Sequence, residues 1–298
     1  MQQYTLFQAL APTQTIDIPA FGGKLDVSWN PESQVTQWGG LAYFVSYLKT
    51  SGLFDRLVED APFHYTSPNA PEVRDVVGTT VLAIVCGFTR YVHINRLRND
   101  TVLAALLGLG RIVCEDSVRR ALKSADGREL DAWLARHERD VFDRLVAYQY
   151  VIDIDSTVKP VFGHQEGAEL GYNPQKPCRT IARLIAVVAN WWNVFCRLAD
   201  GDRHLEPTTS RPMYMGVVGR LVTSGRQRLL RLTSTHLKAR EIQSSLIRIG
   251  EFMKRISATA EQLDFNRTWE LIILAAFRKW LGGNRAKGLI PEPLALIG

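Results

Sequence analysis

Apolar residues recur at helical spacing along most of this chain, and the segment that breaks the period most sharply is "VIDIDSTVKPVFGHQEGAELGYNPQKP" at residues 151–177, which opens in alternation. A chain written this way packs helices and has material for only a small sheet. The expected fold class is therefore α+β, mostly helical. A short hairpin is expected around Gly22-Gly23 in "IDIPAFGGKLDVSWNPES", where apolar and polar residues alternate on both sides. A helix from Gly40 to Val58 follows, with Leu41, Phe44, Val45, Leu48 and Phe54 on its apolar side. Asn69 is positioned to cap the next, whose first turn holds Pro71, Glu72 and Asp75 and whose body is "VVGTTVLAIVCGFTRYVHINRLRND".

Two short helices are expected in "TVLAALLGLG" and "CEDSVRRALKSADG", the second opened by Glu115 and Asp116, and a longer one in "RELDAWLARHERDVFDRLVAYQ". After the polar loop the pattern returns in "IARLIAVVANWWNVFCRLAD", where Trp191 and Trp192 read as core. "MYMGVVGRLVTSG" reads as a helix ending at glycine and "RLLRLTSTH" as a short strand. "AREIQSSLIRIGEFMKRI" is amphipathic, with Ile242, Leu246, Ile249, Phe252, Met253 and Ile256 on one side and Arg240, Arg248, Lys254 and Arg255 on the other. A last helix, "NRTWELIILAAFRKWL", stops at Gly282-Gly283.

No window reaches the roughly 18 uninterrupted apolar residues of a membrane span, and "MQQYTLFQALAPTQ" lacks the basic start and apolar block of a signal peptide. The expected location is cytoplasmic. Cys86, Cys114, Cys178 and Cys196 are too scattered for a CxxC pair or a disulfide framework and read as isolated thiols. Charge is more informative. Residues 1–150 carry 15 Lys and Arg against 17 Asp and Glu, whereas residues 151–298 carry 21 against 13. Between 203 and 255, eleven basic residues, among them Arg220, Arg226, Arg228, Arg231, Arg240 and Arg248, face only Glu206, Glu241 and Glu251. Arginine in such excess suits a polyanion such as DNA, because guanidinium groups grip phosphates in pairs of hydrogen bonds and displace counterions. A merely soluble basic surface is the alternative. Arg119, Arg120 and Lys123 sit on the second of the two short helices, as a DNA-reading helix-turn-helix would have them, although the connection exceeds the three or four residues that motif prefers.

The strand at 150–155 places Asp153 and Asp155 on one face and Ile152 and Ile154 on the other. Two carboxylates at a strand end suit Mg²⁺, which takes one or two protein oxygens together with substrate phosphate. An exposed edge, with Asp155 capping the turn at Thr157, is the alternative. Glu166, Glu169, Asp200, Asp202 and Glu206 read as loop and surface acids, and the six histidines form no set with metal-ligand spacing.

The segment at 151–177 closely resembles the first catalytic segment of bacterial insertion-sequence transposases of the 1380 group, which carry an RNase H-like DDE domain. "IARLIAVVANWWNVFCRLADGDRHLEPTTSRP" and "LTSTHLKAREIQSSLIRIGEFMKRISATAEQL" resemble that group's C-terminal region, and "CEDSVRRAL" and "LDAWLARHERDVFDRL" its N-terminal half. The resemblance implies a helical DNA-binding region at 1–148, the start of a partial RNase H-like sheet at 149–180 and a basic helical region at 181–298. It makes Asp155 the first catalytic and metal-binding carboxylate, with Asp153 beside it, Mg²⁺ or Mn²⁺ the cofactor, and DNA strand cleavage and transfer the chemistry. Arg119, Arg120, Lys123, Arg226, Arg228, Arg240 and Arg248 become candidate DNA contacts. The implied partners are double-stranded DNA at terminal inverted repeats and a further copy of this or an intact transposase. One departure stands out: "GYNPQKPCRT" runs straight into "IARLIAVVANWW", with no strand ending in an acid between Arg179 and Asp200 and no Tyr, Arg, Glu, Lys helix. The second and third catalytic carboxylates are missing, so a DNA-binding remnant without catalysis stands beside the enzyme reading.

Overall fold

The computed structural model describes residues 16–21, 23–27, 33–65, 67–88, 90–146, 179–200, 205–233, 238–259 and 263–277. Asp153, Asp155 and the strand expected at 150–155 lie outside these residues, as do Cys178 and Gly282-Gly283. The first two strands, β1 (Ile16–Ala20) and β2 (Gly23–Val27), form the expected antiparallel hairpin, with Ile16 opposite Val27. After β3 (Gln34–Thr36) the chain is helical: α1 (Leu41–Ser51), α2 (Leu53–Glu59), α3 (Val73–Val85), a 3₁₀ turn at Tyr91–Arg96, α4 (Thr101–Leu107), α5 (Glu115–Ser124) and α6 (Gly127–Val146). Then come α7 (Arg179–Ala199), α8 (Pro207–Met215), β4 (Gly219–Ser224), β5 (Gln227–Leu232), α9 (Ala239–Thr259) and α10 (Phe265–Phe277). Helices dominate, and an antiparallel sheet of order β3-β4-β5 makes the architecture α+β.

One continuous core draws on both halves of the chain. Helix α7 runs through it, packing against α6, α10, α3, α9 and α8. Its Trp192 and Phe195 meet Phe44 of α1 edge-on, each with ring centroids 5.3 Å apart. Three of the buried tryptophans donate the indole N–H, and the indole N–H of fully buried Trp191 meets no partner among the described residues. Trp133 donates to the Leu57 carbonyl at 3.0 Å, Trp192 to the Ser210 hydroxyl at 2.8 Å and Trp269 to the Asp140 carbonyl at 2.6 Å. On α9, Ile242, Leu246, Ile249, Phe252, Met253 and Ile256 are all buried, as the helical spacing predicts. Near its N-terminal end α7 is held to α6 by Arg183, which forks onto Glu138 at 2.7 and 3.1 Å and reaches the Asp131 carbonyl at 2.9 Å.

Local patterning misplaced four boundaries. The helix expected from Gly40 to Val58 breaks at Gly52, whose φ of 72° lies in the left-handed region that ends α1 and restarts the chain as α2. Asn69 does not cap α3: Glu72 occupies that position without a side-chain cap, and Pro71 precedes the helix. The body of α3 stops at Val85 because Gly87 turns left-handed at φ 79°, letting Phe88 N–H reach the Ala83 carbonyl at 2.9 Å, and Arg211 of α8 donates to the Ile84 carbonyl at 2.7 Å. "MYMGVVGRLVTSG" is not a helix. Beyond Met215 the Val217 carbonyl accepts from Gly39 N–H at 2.6 Å and the Val218 carbonyl from Thr233 N–H at 2.9 Å, so tertiary pairing draws a valine-rich run into the sheet.

Candidate nucleic-acid interface

In the sheet, Thr36 lies opposite Gly219 and Gln34 opposite Leu221, so the three-residue β3 covers only the base of the β4–β5 hairpin. The hairpin continues through Val222 opposite Leu229, Thr223 opposite Arg228 and Ser224 opposite Gln227. Alternation sorts its side chains. Leu230 and Leu232 turn inward and, with Tyr43, Val217, Ile242 and Leu246, line an apolar groove of about 310 Å³ against α9. Among the residues that line this groove, only the Tyr43 phenol is titratable.

The outward face is different. Arg220 and Arg231 stand directly opposite one another, both exposed, with Leu229 half exposed beside them. Like charges so placed repel and cost the hairpin stability. Arg226 in the turn is also exposed, and so are Arg240 and Arg228, which shares the face of Leu230 and Leu232 at the far end of the ribbon. None of these five arginines has a carboxylate partner among the described residues. Arg240 occupies the first turn of α9, where the helix dipole disfavours a cation. Their charge is therefore directed outward, not spent on the fold. Arg248 behaves otherwise: its guanidinium donates to the Ala199 carbonyl at 3.2 Å and the Ser245 hydroxyl at 3.3 Å, closing the C-terminus of α7. Its placement is structural.

A second basic surface surrounds α5. Val118 and Ala121 bury one side of this helix, and Arg119, Arg120 and Lys123 are exposed on the other. Arg119 lies over the Tyr91 ring at 5.1 Å, and Arg120 donates back to the Asp116 carbonyl at 3.2 Å. The helix-turn-helix reading does not carry over. Helices α4 and α5 are separated by residues 108–114, and α5 packs on α3 and the 3₁₀ turn. Sequence reasoning missed Arg90, Arg96, Arg98 and Arg111, all exposed around that turn and before α5. The signal was present in "RYVHINRLR", hidden by reading the run as buried helix. At the start of α5, a hydrogen bond from Ser117 lowers the Cys114 thiol below its usual value, against desolvation, and Arg98 adds to the effect. An aromatic series links the surfaces: Trp38 after β3 meets Phe88 at 6.4 Å, and Phe88 meets His93 in the 3₁₀ turn at 5.6 Å.

By the resemblance, a divalent cation would rest on Asp155 with Asp153 beside it, and neither lies among the described residues. Those described offer no group of three or more His, Cys, Asp or Glu side chains arranged to hold a metal ion. Likewise, no described helix is long and apolar enough to cross a membrane. Family models, curated proteins and solved structures yield no match to the chain.

Proposed function

We propose that this chain is a truncated DDE insertion-sequence transposase that binds double-stranded DNA at terminal inverted repeats and lacks a complete catalytic centre. The observation that carries the DNA-binding part is the set of exposed, unpaired arginines on the β4–β5 hairpin and α9, namely Arg220, Arg226, Arg228, Arg231 and Arg240. Guanidinium groups held in water without carboxylates are free to exchange counterions for phosphates. Arg119, Arg120 and Lys123 on α5 add a second set of contacts. Arg248 is the least free of the proposed contacts, because its Nη2 is held by the Ala199 carbonyl at the end of α7.

Incompleteness is supported by α7. The segment "GYNPQKPCRT" runs straight into this helix, Arg179–Ala199, with no room before it for the strands and the second carboxylate that the resemblance would require. Asp155, with Asp153 beside it, remains the carboxylate on which Mg²⁺ or Mn²⁺ would depend. Such a chain occupies DNA ends without cutting them and competes with an intact transposase for those ends. The test is to incubate the purified chain with inverted-repeat duplex and Mg²⁺ or Mn²⁺, beside Asp155→Ala, measuring binding and nicking together. Binding without nicking is the expected result. Metal-dependent nicking abolished by Asp155→Ala would refute the incompleteness, and absence of binding at moderate salt would refute the DNA-binding reading.

A further inference from the structure

Among the described residues β3 pairs only with Gly219, Arg220 and Leu221, and none forms a third strand beside the β4–β5 hairpin beyond Leu221. Three residue pairs and a turn remain as a two-stranded ribbon. Thr223, Gly225, Arg226, Gln227, Arg228 and Leu229 are all exposed there, and a side chain added at Gly225 would have no atom within 4 Å. Gly225 takes a φ of 59°, as the first central position of a tight two-residue hairpin turn requires. The tip stands clear of the body. From Gly219 to Leu232, "GRLVTSGRQRLLRL", it contains four arginines, no carboxylate and no aromatic ring.

Resting on the DNA-binding reading above, we infer that this tip enters the major groove of duplex DNA and reads base edges with Arg226, Gln227 and Arg228, while Arg220 and Arg231 at its base hold the flanking phosphates. Dimensions choose the groove. Two strands about 4.8 Å apart, with their side chains, make a ribbon of roughly 10 Å, which fits the major groove of about 12 Å and not the minor groove of about 6 Å. Three residue pairs at about 3.3 Å each project roughly 10 Å, comparable to the major-groove depth of about 8.5 Å. Chemistry agrees with size. Arginine pairs its donors with the O6 and N7 of guanine, glutamine matches the N6 and N7 of adenine, and an apolar side chain such as Leu229 suits the thymine methyl group. A single-stranded partner is disfavoured, because such sites stack bases on aromatic rings and this ribbon has none. The opposed pair Arg220 and Arg231 supplies the independent sign of an anionic partner, since phosphates between them would relieve their repulsion.

The experiment is selection from a library of random 20-base-pair duplexes, followed by anisotropy titrations with the selected duplex and a scrambled one. Wild type, Gln227→Ala/Arg228→Ala and Arg220→Ala/Arg231→Ala are compared, with thermal melts to show that each is folded. Wild type enriches a motif that it binds at least about tenfold more tightly than the scrambled duplex, and methylation of guanine N7 within the motif blocks binding. The tip variant loses that preference and its sensitivity to N7 methylation while still binding both duplexes. The base variant weakens on both duplexes alike and keeps the preference. A tip variant that enriches the same motif, or a wild type that binds without enriching any, overturns base reading and leaves DNA binding standing. A wild type that binds neither duplex overturns both.

Discussion

Gly40 decides how closely the start of α1 meets the end of α8, and replacing it by alanine separates two physical effects of opposite sign. Its backbone, φ −63° and ψ −18°, is ordinary helical geometry that alanine adopts freely. On backbone entropy alone Gly40→Ala would stabilise the protein by about 0.4–1 kcal/mol. The added methyl group, however, would overlap the Tyr214 carbonyl oxygen and lie 2.9 Å from the Tyr214 carbonyl carbon and 3.0 Å from Met215 Cα, well inside ordinary contact. All three are main-chain atoms at the end of α8, so no side chain can swing away. Overpacking of this kind costs about 1–3 kcal/mol, and more when the backbone must move. Contact wins, leaving a net loss of about 1–2 kcal/mol after the entropic gain. Urea unfolding followed by tryptophan fluorescence measures it. Gly127→Ala is the control: no atom lies within 4 Å of its added methyl group, so only the entropic gain remains. A Gly40→Ala protein as stable as wild type would refute the claim that α1 and α8 meet through this glycine.

The basic residues divide by role, and stability shows the division. Arg248→Ala removes the hydrogen bond to the Ala199 carbonyl and lowers unfolding free energy by about 1–2 kcal/mol, whereas Arg226→Ala and Arg228→Ala stay within about 0.5 kcal/mol of wild type; equal losses for all three in urea titrations would contradict the assignment. Asp100 gives a pH test. Burial raises its carboxyl above the usual 3.8, against hydrogen bonds from Thr36 and the Leu103 and Val102 N–H groups. A raised folded-state value means that its contribution is fully present below 3.8 and is lost as pH climbs through the raised value. Asp100→Asn keeps an oxygen for the Leu103 N–H and has no charge to bury, so it gains on wild type as pH rises through that window. Parallel stability curves for the two proteins across acidic pH would refute the assignment.

Much of the helical framework was legible because it is written in spacing. The six buried residues of α9 and the tryptophan pair of α7 follow from periodicity and apolar bulk alone. What stayed hidden depends on distant partners. The valines of "VVGRLVTSG" lean toward a strand, but the pairing that decides it lies at Gln34–Thr36 and Gln227–Leu232. Nor does composition distinguish Arg248, bound to a carbonyl 49 residues away, from the unpaired arginines of the hairpin. The candidate interface was half legible. Arginine excess pointed to the right stretch, but only the strand register separated outward from inward side chains, and the arginines around the 3₁₀ turn were masked by an expected helix.

The most direct measurement is the salt dependence of affinity for a mixed-sequence duplex, by fluorescence anisotropy between about 50 and 200 mM salt. Two to five phosphates contacted by Arg220, Arg231 and the basic residues of α5 would give a slope of log K against log salt of about −1.8 to −4.5. Arg220→Ala and Arg231→Ala should each reduce the magnitude of that slope by about one. A slope near zero, or one that none of these substitutions changes, would contradict the claim that these arginines are kept free for DNA.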